Sequence, residues 1–263
     1  MRSLHLTCSP ERVEEISAEL WDAGTLGVEE VDLADQVLLI ACFEKRDDSL
    51  LSNFAPYRPE WGELPAINWI EETHRGWPPR QIGGRLFLAV PWCTDPTPHG
   101  RTRVLHNPSQ ASGTGEHPCT QLALAALEKF IQPGSTVADI GTGSGIVSMA
   151  ALRLGAARAI AVDTDENALL VARENFSLNG LEPSLVCGSA NCLSDQIADV
   201  TVANINATVL LSIMDELLRI TRPMGRLILT GFPSAESHVV RHIFPEVEFS
   251  MQDGWCSIVA ALS

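Results

Sequence analysis

The stretch from Thr136 to Asn179 limits the fold more than any other part of the chain. A short apolar run, Thr136–Ile140, leads into the glycine turn Gly141-Thr142-Gly143-Ser144-Gly145. A second apolar run, Ile146–Leu154, has the length of a helix, and a third, Ala159 to Val162, ends in Asp163. The pattern predicts strand, glycine turn, helix, strand, acid. Glycines let the backbone approach a ligand where a Cβ would block it, and the helix N-terminus offers unpaired N–H groups. An acid ending the next strand can accept hydrogen bonds from both hydroxyls of a ribose, and it is expected roughly 20 residues beyond the turn. Asp163 meets that spacing. The unit predicts a nucleoside-cofactor site on a parallel α/β sheet.

Downstream the alternation continues. Helices are predicted over Asp165 to Asn179, Ala207 to Thr221 and Ser234 to Ile243, and strands over Leu185 to Cys187, Asp199 to Ile205 and Arg226 to Thr230. Val247 to Ala261 predicts two strands broken at Asp253-Gly254, and so an antiparallel edge on a doubly wound sheet. Upstream, residues 1–73 read as a small separate domain. A strand holds Leu4, Leu6 and Cys8, and Ser9-Pro10 predicts a helix cap. Val13, Ile16 and Leu20 share a helical face until Gly24. Strands follow at Gly27 to Val31 and Gln36 to Phe43, then a short helix at Asp48 to Phe54 and a last strand at Ile67 to Glu71. The order β-α-β-β-α-β is that of a ferredoxin-like α+β module. Residues 74–84 read as a glycine- and proline-rich linker, and 85–263 as the larger domain. That domain opens with strands at Leu86 to Val90 and Thr102 to Leu105. A long polar loop, Asn107 to Thr120, then leads into a helix over Leu122 to Phe130.

Composition narrows the function classes. No run of about 18 uncharged apolar residues occurs, so no transmembrane helix is expected, and His5, Glu11 and Arg12 interrupt any signal-peptide pattern. The seven cysteines are scattered without a C-x-x-C pair, which predicts reduced, buried thiols in a cytoplasmic protein and no metal site. A net charge of -15 argues against a nucleic-acid substrate, because Lys and Arg supply most affinity for phosphate backbones. The same charge would attract a basic partner.

The glycines fall G-x-G-x-G, not in the dinucleotide spacing G-x-G-x-x-G, and Asp139 precedes them. An acid there could meet a cationic amino group. Both features suit S-adenosylmethionine, which carries an ammonium, a sulfonium and a ribose, with a nicotinamide dinucleotide as the alternative.

Asp139-Ile140-Gly141-Thr142-Gly143-Ser144-Gly145 with Asp163 resembles the first two motifs of class I methyltransferases, whose fold is a Rossmann-like doubly wound sheet with an antiparallel last strand. Ser112-Gly113-Thr114-Gly115-Glu116-His117-Pro118-Cys119-Thr120 resembles the F-G-T-G-x-H-x-T-T loop of the ribosomal protein L11 methyltransferases. Ala203-Asn204-Ile205 is similar to that family's A-N-I strand end, and Gly254-Trp255-Cys256 to its final strand start. The resemblance covers essentially the whole chain.

It implies an S-adenosylmethionine-dependent N-methyltransferase acting on the N-terminal α-amine and lysine ε-amines of ribosomal protein L11, with residues 1–73 recognising that substrate. It places Thr120, Asp139, Gly141, Gly143, Gly145, Asp163 and Asn204 at the cofactor, with Asn204 also facing the acceptor nitrogen. His117 is the nearby candidate base. Two positions depart from the loop pattern: Ser112 replaces the opening phenylalanine and Cys119 the first threonine. Another protein lysine or a small amine is therefore an alternative acceptor, and a cofactor-binding protein without turnover an alternative class.

Overall fold

The computed structural model describes residues 2–33, 35–62, 77–107, 115–244 and 246–262, and the chain divides into two compact units, Met1–Thr73 and His74–Ser263. In the first, β1 (Arg2–Cys8) passes through a 3-10 turn at Pro10–Arg12 into α1 (Val13–Asp22). Ser9 is extended before Pro10, but its hydroxyl caps nothing, and α-helical bonding starts only at Val13. Gly24, at φ +86°, supplies the left-handed stop after α1. Strands β2 (Gly27–Asp32) and β3 (Val37–Phe43), helix α2 (Ser49–Asn53) and strand β4 (Glu60–Gly62) complete the described part of the unit. The sheet order is β2-β3-β1-β4 with every pairing antiparallel, the ferredoxin-like arrangement. Alternation puts Leu4, Leu6, Leu39 and Ala41 on one face, where Ile16 and Leu20 of α1 cover them. Burying each such leucine or isoleucine contributes about 1.5–3 kcal/mol. The strand expected at Ile67 to Glu71 lies outside the described residues.

The second unit begins with a three-stranded sheet, β5 (Arg80–Ile82), β6 (Leu86–Ala89) and β7 (Thr102–Leu105). The glycines and prolines that predict a linker over 74–84 conceal β5, which pairs antiparallel with β6. The turn between them is tied down by Glu128, whose carboxylate accepts from the backbone N–H of Gly84 and Arg85. Glu128 lies on α3 (Pro118–Phe130), which starts four residues earlier than the apolar pattern predicts.

The main sheet contains β8 (Thr136–Ile140), β9 (Arg158–Asp163), β10 (Ser184–Cys187), β11 (Ala198–Asn204), β12 (Thr221–Pro233), β13 (Val247–Gln252) and β14 (Trp255–Ala261). Helices α4 (Ile146–Leu154), α5 (Glu166–Leu178), α6 (Ala207–Ser212), α7 (Met214–Ile220) and α8 (Ser237–Arg241) connect them. Strand order is β10-β9-β8-β11-β12-β14-β13. The closing pair makes the antiparallel edge, as expected: the last strand, β14, pairs with β12 and carries β13 on its outer side. The two-residue turn Asp253-Gly254, with φ +48° and +79°, folds β13 back onto β14. The helix predicted over Ala207 to Thr221 breaks at Ile213, and β12 begins at Thr221, five residues before the predicted start.

Two cores flank the sheet. One joins α3, α4, β6 and β7 around Leu88, Leu124 and Ile146, and the other joins α6, α7 and α8 around Leu210, Leu217 and Val240. All seven cysteines are unpaired; Cys8, Cys119 and Cys256 are buried, but Cys187 and Cys192 are exposed, contrary to the expectation of buried thiols. Among the described residues no helix is long and apolar enough to cross a membrane.

Candidate active site

The chain runs β8, β9, β10 to one side of the sheet and then crosses to β11 and β12 on the other. Ligands of open α/β sheets bind beyond the carboxyl ends of strands at such a reversal. A cleft of about 670 Å³ lies there, walled by Gly141, Gly143, Asp163, Ser189, Asn204 and Val209 among others. A volume of this size suits a nucleoside-sized ligand.

The three glycines do different work. Gly141 has φ +74°, and a Cβ on it would come within 2.5 Å of Ile205 Cγ2, itself part of the cleft wall. Gly143, at φ +54°, also faces the cleft. Gly145 caps α4 at φ +81°, where a Cβ would meet Phe176 and Ala172 at 3.1 and 3.2 Å. Gly145 therefore serves helix packing and does not line the cleft.

Asp139, expected to meet a cationic amino group, is turned into the protein and is only 1% exposed. Its Oδ2 accepts from Thr142 Oγ1 at 2.6 Å, Ser148 Oγ at 2.8 Å and Ser148 N at 3.1 Å. It thereby braces the glycine turn against the first turn of α4. Burial pushes its carboxyl up to about 6, against the opposing pull of these donors. A raised folded-state value means that this group favours the fold most below the unfolded value of about 3.9. That contribution is lost as pH rises through about 6. Two units correspond to about 3 kcal/mol. Urea unfolding at pH 4.5 and pH 7 should show wild-type stability falling relative to Asp139→Asn over that interval. Parallel changes in the two proteins would contradict the assignment.

Asp163 ends β9 at the cleft. Its Oδ2 accepts from Gly143 N at 2.9 Å and its Oδ1 from Asp165 N at 3.0 Å, which fixes the carboxylate and leaves lone pairs on both oxygens for a diol. Asp165 then caps α5 by accepting from Asn167 N at 2.9 Å. Beyond β10, Gly188 and Ser189 form the wall, and Gly188 N donates to the Asp163 carbonyl at 2.8 Å.

On the opposite side Asn204 ends β11, and its Nδ2 donates to Thr120 Oγ1 at 3.3 Å. Two expected site residues 84 positions apart are thus in contact. Thr120 is not in a loop but in the first turn of α3, and it is 2% exposed. His117 is the N-cap of that helix. Its Nδ1 accepts from Cys119 N at 3.2 Å, and its ring stands edge-on to Trp255 with centroids 4.5 Å apart. With that lone pair committed to the backbone, and its position outside the cleft wall, the expected base has a structural task. Cys119 points into the core, where burial raises its thiol. Ser112 lies outside the described residues.

Sequence reasoning missed the apolar side of the cleft, Ala168 and Val171 on α5 with Ile205, Val209 and Ile213 on and around α6. Its only sequence signal is that Val209 and Ile213 are four apart on a helical stretch. Among the described residues no group of three or more His, Cys, Asp or Glu side chains could hold a metal ion.

The strand order with one inserted antiparallel strand, the glycine turn and the acid ending β9 define a class I S-adenosylmethionine-dependent methyltransferase. The chain matches the family described as ribosomal protein L11 methyltransferase (PrmA) over residues 34–262. A ribosomal protein L11 methyltransferase of Pseudomonas paraeruginosa is 34% identical, across 97% of this chain and 96% of its own. One from Lactococcus lactis is 32% identical across 90% and 87%. The crystal structure of ribosomal protein L11 methylase from Lactobacillus delbrueckii subsp. bulgaricus superposes with a TM-score of 0.64, 27% identity, and coverage of 70% of this chain and 99% of that one. The chain belongs to the ribosomal protein L11 methyltransferase family.

Proposed function

We propose that this enzyme transfers methyl groups from S-adenosylmethionine to amines of ribosomal protein L11, the N-terminal α-amine and lysine ε-amines. The observation that carries the reading is the Asn204–Thr120 contact, which sets an amide on the rim of the cofactor cleft where an acceptor nitrogen would enter. Names and coverage of the relatives support the acceptor, and a net charge of -15 suits a basic protein substrate.

Bound S-adenosylmethionine supplies an activated methyl on a sulfonium, so the chain's own contribution is alignment and exclusion of water. Asp163 holds the ribose hydroxyls, with Gly143 N–H keeping its carboxylate in place. Gly141 and Gly143 leave room for the methionine portion. Val171, Val209 and Ile213 cover the apolar faces. The Asn204 carbonyl oxygen stays free to accept an N–H of the incoming amine, because Nδ2 is engaged by Thr120. A lysine amine of ordinary pKa near 10.4 must first lose a proton. Solvent water takes it, since His117 is committed to capping α3. The unit Met1–Thr73 recognises L11, and the reaction belongs to the cytoplasm, where that protein is made. Cys119 faces the core and so offers no support for a different acceptor.

The test is incubation with methyl-labelled S-adenosylmethionine and purified ribosomal proteins. Label is expected in L11, on α- and ε-amines. Asn204→Ala should lower turnover by roughly tenfold to a hundredfold while cofactor affinity changes far less. Label confined to other proteins would overturn the acceptor, and an unchanged kcat in Asn204→Ala would overturn its role.

A further inference from the structure

The short helix α8 takes no part in the cofactor cleft, yet His238 in it and His242, the residue that caps its C-terminus, are exposed and one helical turn apart. We propose that His238 and His242 form a two-histidine chelate for one first-row divalent transition-metal ion. Two observations, with the general geometry of a helical turn, support it. His242 N donates to the His238 carbonyl at 3.2 Å, so the backbone between them is helical and the two side chains stand on one face. Cβ atoms in this relation are about 5–6 Å apart, which lets two imidazole nitrogens converge on one ion. The His238 ring is also already set as a ligand: its Nδ1–H donates to the Ala235 carbonyl at 2.9 Å, which leaves the lone pair of this exposed ring on Nε2. Metal-binding histidines almost always carry this second bond, because it fixes the tautomer and raises the basicity of the ligating nitrogen.

The surroundings leave the site open. Arg241, between the two histidines, has its guanidinium over the Phe249 ring at 5.1 Å. Val240 is buried in the core beneath, which anchors the helical turn. Two neutral nitrogen donors suit copper, nickel and zinc, with waters filling the remaining positions, and do not suit magnesium or calcium, which take oxygen ligands. An ion bridging positions i and i+4 binds the folded turn and not the unfolded chain, so it also stabilises the fold.

Equilibrium dialysis of the full chain against Ni²⁺ tests this, with thermal unfolding as the second readout. The wild type should take up one equivalent and melt at a higher temperature with Ni²⁺ than with the same concentration of Mg²⁺. His238→Ala and His242→Ala should each lose both effects, while His99→Ala, at another exposed histidine, should keep them. Unchanged cofactor binding in both variants would show that they are folded. Absence of the one-equivalent uptake in wild type, its persistence in His238→Ala or His242→Ala, or its loss in Cys187→Ser would overturn the proposal.

Discussion

Gly231→Ala is expected to destabilise the catalytic unit by about 3 kcal/mol or more and to abolish cofactor binding in what remains folded. Gly231 sits where the pairing of β12 with β14 shifts register, between Thr230 and Phe232. Its φ is +99°, which an alanine adopts only under strain. A Cβ there would lie 2.5, 2.6 and 2.7 Å from the N, O and C atoms of Ile205. These are backbone atoms held in place, since Ile205 N donates to the Thr230 carbonyl at 3.0 Å. No side chain can rotate away to make room. Relief requires Ile205 to move, and Asn204 with it, and both residues wall the cleft. Against a total stability of about 5–15 kcal/mol the loss is large. Thermal and urea unfolding, with calorimetric titration of S-adenosylmethionine, measure the two effects. A wild-type melt with wild-type affinity would contradict the packing described.

The second large effect is on affinity. Asp163→Ala should weaken S-adenosylmethionine binding by roughly a hundredfold or more. Hydrogen bonds to a charged acceptor contribute about 1.5–3 kcal/mol each, a ribose diol offers two, and each 1.4 kcal/mol is tenfold. The substitution also leaves Gly143 N without its 2.9 Å partner and so loosens the turn that lines the cleft. Asp163 is only partly buried, so the unfolding transition should move much less than the binding isotherm. A shift in stability without a loss of affinity would show that Asp163 serves the fold and not the ligand.

The parts that sequence reveals and the parts it hides differ for physical reasons. Strand β8, the glycine turn, α4 and β9 are local: each follows from a few adjacent residues, and the acid at Asp163 follows from strand length. The contact between Asn204 and Thr120 depends on two strands and a helix meeting across 84 positions, and only the family resemblance points to both residues. Asp139 shows the opposite limit. Its place before the turn is plain in the sequence, but its direction is set by Thr142 and Ser148, whose donors draw it inward. His117 is similar, because a proline at the next position makes it a helix cap and that use consumes the nitrogen a base would need. Strand β5 was hidden by flanking glycines and prolines, since three residues are too few to show a period. The position of β14 inside the sheet was equally hidden, because pairing order is a property of the whole unit.

The central claim is that a cofactor-bound amine methyltransferase acts on L11. Its most direct test is the intact mass of L11 isolated from cells with and without this protein. Methylated L11 is expected in the first case and unmethylated L11 in the second, with the mass difference an integral number of methylene increments and fragment ions assigning them to amine nitrogens. Identical L11 masses from the two strains, where the first carries active protein, would contradict the account.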